Sequence, residues 1–208
     1  MRVAEFLCFY ILAPAAAAVL LPTDMLFPAL FALGAAGIVL LHLTAGFRWR
    51  ELFQGFDRIR WPVILAMATA ASAVGIPIIA IGHPEALFAL PRARPELMAM
   101  IALLYPVLSV LPQEIAYRPL YFRRYGHLLP GGRAGLILNA AIFSLAHAIY
   151  WSWIAAAMSF LGGLIFAWAY ETQRSFPLAV VLHSVAGVLF FAIGMGVYFY
   201  SGNAVRPF

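Results

Sequence analysis

The stretch LPQEIAYRPLYFRRYG, Leu111 to Gly126, sets Glu114 and Arg118 one helical turn apart inside an apolar run. Residues at i and i+4 share a helix face, so spacing alone makes them an ion pair. An ionisable group at membrane depth is expensive, and its default reading is a functional site facing the interior of a helix bundle. The competing reading is that the two charges neutralise each other and lock packing. Either way, the surrounding chain has to be identified as membrane or soluble.

Composition does this. The 208 residues are 65% hydrophobic and 10% charged, with a mean hydropathy of +0.94, whereas a soluble domain carries about 25% charged residues. The expectation is an all-α polytopic transmembrane bundle, a single membrane domain over 1–208. That length leaves room for about seven helices of roughly 20 residues each. Proline and glycine punctuate the apolar runs and predict helices at 5–21, 26–44, 61–81, 96–123, 133–150, 153–171 and 177–200. The first run reads as a retained helix rather than a signal peptide, because no small-residue cleavage site follows it and the next run begins at once. Cys8 is the single cysteine, which excludes an internal disulfide framework and a thiolate metal site.

All 13 basic residues are arginine, giving a net charge of +5. They fall between apolar runs, as membrane topology requires, and so call for no nucleic-acid partner. With a cytoplasmic N-terminus, Arg2, Arg48, Arg50, Arg58, Arg60, Arg123, Arg124, Arg133 and Arg174 lie inside. Arg92, Arg94 and Arg206 lie outside, and Arg118 lies within a span. The expected topology is therefore N-terminus in and C-terminus out. The segment Phe47 to Trp61 mixes aromatics with charge and is expected along the cytoplasmic interface. Tyr150, Trp151 and Trp153 read as an aromatic belt at the outer face, and Gly162 and Gly163 as a close helix approach. Gly194 and Gly196 pack, break the last helix into two parts or line a substrate groove, and packing is the favoured reading.

Glu114 is the one acid of eight that is not at a helix end or in a loop. His147 and His183 share its apolar surroundings, whereas His42, His83 and His127 fall near helix ends. Counting about 1.5 Å per residue, Glu114 lies roughly 13 Å from Arg123, His183 roughly 13 Å from Arg174 and His147 roughly 21 Å from Arg133. The middle of a bilayer core is near 15 Å, so the three meet there if their helices are neighbours. A carboxylate and two histidines suit activation of water and support of an oxyanion. They also suit a metal site with an open position, although no HExxH is present, or a proton relay in a transporter. No cofactor is called for, and metal binding is left open.

In order along the chain, QEIAYR (Gln113 to Arg118), FSLAH (Phe143 to His147) and HSVAG (His183 to Gly187) resemble the EExxxR, FxxxH and HxxxN motifs of the CAAX protease and bacteriocin-processing family, CPBP. The resemblance covers about residues 97–200. It implies a helical bundle enclosing an intramembrane glutamate-dependent protease of the type II CAAX prenyl endopeptidase kind. It also implies roles. The first glutamate and the FxxxH histidine activate water, the HxxxN histidine and asparagine stabilise the oxyanion, and the second glutamate pairs with the arginine. Carried over, His147 is the water-activating histidine, His183 the oxyanion histidine, and Glu114 with Arg118 the supporting pair. These four are the candidate catalytic residues.

Two positions depart from the pattern: Gln113 replaces the first glutamate and Gly187 the asparagine. An amide does not take a proton from water at neutral pH. Two rescues follow: Glu114 becomes the base, or His147 acts as base alone with Gln113 donating to the substrate carbonyl. Ser184 and Asn139 are candidates for the missing oxyanion donor, although Asn139 lies about 80° around the helix from His147. The reading favoured is an endopeptidase of membrane-embedded or membrane-proximal bonds, acting on a membrane protein or a lipidated peptide. Its alternatives are a catalytically degenerate member that binds membrane proteins or confers bacteriocin immunity, and a proton-coupled transporter. The expected location is a bacterial inner membrane. Oligomeric state has no signature in the sequence.

Overall fold

A computed structural model describes residues 2–200, and among them the regular structure is helical, with no strand. Arg206, counted above with the outer segments, lies outside the described residues. Among the described residues, six helices are long and apolar enough to cross a membrane: α1 (Arg2–Leu20), α3 (Trp61–Gly82), α5 (Pro95–Arg124), α6 (Gly132–Tyr150), α7 (Trp153–Thr172) and α8 (Phe176–Ile193). Between them stand α2 (Leu26–His42) and the short α4 (Ala89–Ala93), and α9 (Gly196–Phe199) follows α8. At 17 residues, α2 is about 25 Å long, less than the roughly 30 Å of a hydrocarbon core. The protein is an all-α integral membrane bundle.

Hydrogen bonds and ion pairs between helix ends define two opposite poles. At one, Arg124 at the end of α5 reaches Glu5 at the start of α1 (Nη2 to Oε2, 2.9 Å) and Thr44 just past α2 (Nη1 to Oγ1, 3.1 Å). Glu51 in the loop before α3 pairs with Arg123, and the Ser175 hydroxyl ahead of α8 donates to the Gly55 carbonyl at 2.7 Å. At the other pole, the Trp151 indole donates to the Ala18 carbonyl at 3.0 Å, and the Phe88 amide donates to the Ile193 carbonyl at 3.0 Å. The chain thus alternates between poles, and α2 runs from one to the other despite its length. The 47–61 loop is docked on helix ends, with Leu52 buried.

Local chemistry sets the helix limits. Ser152 and Ser175 cap α7 and α8, accepting from the amides of Ala155 and Leu178, which satisfies otherwise orphaned donors. The last helix stops earlier than its apolar run predicts. Gly194 takes a left-handed conformation at φ +112°, and a Cβ there would collide with the Ala86 carbonyl. The glycine therefore both breaks the helix and permits close packing. Gly163 lets α7 approach α6, its Cβ position lying 3.1 Å from the Ala140 backbone, whereas Gly162 faces only Phe166 of its own helix. Trp153 is 80% exposed, as a belt residue should be, but Tyr150 turns inward and lines a cavity.

Helix α5 runs through the bundle and departs from regular α geometry. Pro106, Pro112 and Pro119 lack the amide that would close a turn, and wide π turns occupy Pro106–Val110 and Ala116–Arg124. Carbonyls loosened in this way accept side chains: Tyr10 donates its hydroxyl to the Ala116 carbonyl at 2.6 Å, and Asn139 its amide to the Tyr117 carbonyl at 2.7 Å. Such turns often mark functional positions.

Candidate active site

Glu114 and Arg118 meet as the i, i+4 spacing requires, with Arg118 Nε 3.0 Å from Glu114 Oε2, and both side chains are fully buried. Neither pairs with the other alone. His183 on α8 places Nδ1 2.9 Å from Glu114 Oε1, and Arg118 donates through Nη1 to Asn139 Oδ1 on α6. The guanidinium carbon also lies 5.0 Å from the centroid of the Phe143 ring and 5.8 Å from that of Phe166, a cation–π arrangement that supports a desolvated charge. Phe166 stacks on the His183 imidazole at 4.6 Å and 12°. The result is a closed polar network joining α5, α6 and α8, roofed by aromatic rings from α6 and α7.

Asn139 spends its amide on this network, its oxygen on Arg118 and its nitrogen on Tyr117. Asn139 is fully buried and is not among the walls of the cavity beside His147, which places it away from the replacement oxyanion role considered from the sequence. Ser184 keeps that candidacy: its buried hydroxyl has no hydrogen-bond partner among the described residues.

His147 is positioned differently. Helix α6 tightens at its end, so the His147 amide bonds back to Ser144 and Leu145 rather than to Phe143. The Phe143 carbonyl is thereby left available, and His147 Nδ1 lies 2.8 Å from it. A carbonyl oxygen only accepts, so Nδ1 carries the hydrogen and Nε2 presents a lone pair. The Phe143 ring is shared by both histidines, at 4.6 Å from His147 and 5.6 Å from His183.

A cavity of about 100 Å³ opens beside this second histidine, lined by His147, Gln113, Ser109, Tyr117 and Tyr150 among others. Sites of this size accommodate several waters. Leu30, Phe31 and Leu108 border it and are exposed on the bundle's side. Gln113 donates from Nε2 to Ser109 Oγ at 2.9 Å, which leaves its second N–H and its oxygen uncommitted to that bond. Glu114, Arg118 and His183 are not among the cavity walls. Of the four residues proposed from the sequence, three form the closed network and one, His147, faces the cavity. Among the described residues, no three His, Cys, Asp or Glu side chains come together as a metal-ligand group.

Sequence reasoning did not find Tyr105. Its hydroxyl stands 3.5 Å from His183 Nε2, and its ring occupies the space that a Cβ on Gly187 would fill. Nine residues separate it from Glu114, which in a regular helix puts the two about 180° apart, on opposite faces. The π turn between them adds one residue to a turn and closes that angle to about 80°. Periodicity alone carried no sign of this.

No curated protein and no solved structure matches the chain. Residues 95–189 match the family model described as Type II CAAX prenyl endopeptidase Rce1-like. The matched segment runs from the first residue of α5 into α8 and contains every side chain of the network. The three motif segments converge on the Phe143 ring, and across them the chain is similar to the type II CAAX prenyl endopeptidase Rce1-like family.

Proposed function

We propose that the protein is an intramembrane endopeptidase in which His147, rather than a glutamate, activates water. The observation that carries this reading is the free Nε2 of His147 at a cavity shared with Gln113. Water held between them attacks the scissile carbonyl carbon while Nε2 takes its proton. When the C–N bond breaks, the same nitrogen returns that proton to the leaving amine. Gln113 contributes N–H to the carbonyl oxygen as charge develops there. Glu114, doubly held by Arg118 and His183 and fully buried, orients His183 and keeps the three helices in register.

Substrate access is supported by the apolar rim at Leu30, Phe31 and Leu108, which suits a membrane-embedded segment or a lipidated peptide. The amide at Gln113 favours a second reading, a scaffold that binds such segments without cutting them.

Cleavage of a transmembrane peptide library in lipid nanodiscs separates the two. Under the first reading, His147→Ala reduces turnover by about 10²-fold or more, and Gln113→Glu, which loses the N–H donor, lowers it as well. Retained turnover in His147→Ala would sink the proposed base. An inactive wild type that gains cleavage in Gln113→Glu would establish the binding scaffold instead.

A further inference from the structure

We infer that Tyr105 is a catalytic hydrogen-bond donor beside His183, occupying the place that residue 187 leaves empty. This rests on the peptidase reading given above. Two observations from different elements converge on it. On α8, Gly187 has no side chain, and a Cβ there would run into the Tyr105 ring and hydroxyl. On α5, the π turn at Pro106–Val110 swings Tyr105 round to the same histidine that Glu114 holds. Glycine at 187 is thus required by the tyrosine, and the tyrosine supplies a polar hydrogen where the glycine supplies none.

The geometry leaves that hydrogen usable. Glu114 engages Nδ1 of His183, and Tyr105 approaches Nε2 from the other side. At 3.5 Å, the contact is longer than the 2.7–3.2 Å of a committed hydrogen bond. The O–H is therefore not committed to His183, and in this assignment it turns to the substrate carbonyl oxygen. As water adds to the carbonyl carbon, the C=O π electrons move onto oxygen, and Tyr105 donates to that oxygen while retaining its own proton. The electrons return to re-form C=O when the C–N bond breaks. Phe191 packs edge-on against the Tyr105 ring at 5.6 Å and fixes its plane, so the donor is held in position before reaction.

The test is steady-state cleavage of a transmembrane peptide by the full chain in nanodiscs, with thermal melting of each variant. Tyr105→Phe keeps the ring and removes the hydroxyl. It should lower kcat by about 10²-fold, with KM within about twofold and melting unchanged, a split that a packing role would not give. Gly187→Asn collides with the tyrosine and should lose both stability and activity. Pairing it with Tyr105→Ala opens the space and moves an amide donor onto residue 187, so the double variant should exceed Tyr105→Ala alone in kcat. Wild-type kcat in Tyr105→Phe, or a loss confined to KM, overturns the assignment while leaving the peptidase reading intact. A wild-type protein that cleaves nothing overturns the peptidase reading first and this assignment with it.

Discussion

Glu114 and Arg118 are the residues at which structural and functional readings compete, and their surroundings give each reading a measurable consequence. Both side chains are 0% exposed and share partners on two other helices. Removing one partner of a buried pair leaves an uncompensated charge, at a cost of about 3–5 kcal/mol, whereas replacing both by apolar residues of similar volume is often neutral. Arg118→Ala should therefore lower unfolding stability by about that amount in a denaturant titration, and Glu114→Met with Arg118→Met should recover most of it. If the recovered double variant still cuts peptides, the pair serves packing only. If it is stable and inactive, His183 needs the Glu114 carboxylate for function. The i, i+4 pair itself was legible in the sequence, because a fixed helical period governs neighbours one turn apart. Its third partners, His183 and Asn139, come from other helices and have no such period.

At the scale of elements, the site depends on how closely α6 and α7 approach. Phe143 on α6 touches Arg118 and both histidines, and α7 lies against the back of that turn through Gly163. A Cβ on Gly163 would lie 3.2 Å from the Phe143 ring. Gly163→Leu should therefore push α7 away, with a loss of about 1–3 kcal/mol from overpacking, and should reduce turnover by disturbing Phe143. Gly162→Ala meets only the flexible Phe166 ring of its own helix and should be milder in both respects. Equal effects of the two substitutions, measured by melting and by turnover, would refute this division. The sequence marked both glycines as packing residues but did not distinguish them, because a glycine pair reveals nothing of which member faces the neighbour. For the same reason, regular helical phase misplaced Tyr105: the π turn that reorients it depends on how prolines and partner side chains redistribute the carbonyls of α5.

For the whole molecule, the two poles have unequal charge. Arg2, Arg48, Arg50, Arg58, Arg60, Arg123, Arg124, Arg133 and Arg174 belong to the pole tied together by Glu5, Thr44, Glu51 and Ser175, and Arg92 and Arg94 to the opposite one. Just beyond α5 at the arginine-rich pole, burial and the hydrogen bond to Glu5 push the Tyr125 phenol well up, so it stays a donor to that carboxylate at any physiological pH. The bias toward cytoplasmic arginine predicts that a single cysteine introduced at Gln54, in a background lacking Cys8, is labelled by an impermeant maleimide only after the cells are opened. One introduced at Glu85 should react in intact cells. Labelling of both from the same side would overturn the crossing of α3. Membrane class, approximate helix number and the three motif segments were determined by the sequence, because hydrophobic length and helical period are local properties that a bilayer enforces on any such chain. What only the tertiary structure decided is which side chains share a partner: Glu114 is closed off by Arg118 and His183, His147 faces a cavity with Gln113, and Tyr105 enters the space vacated at Gly187. These depend on packing between helices distant in sequence and on irregular turns of α5, and neither follows from composition or from a regular period.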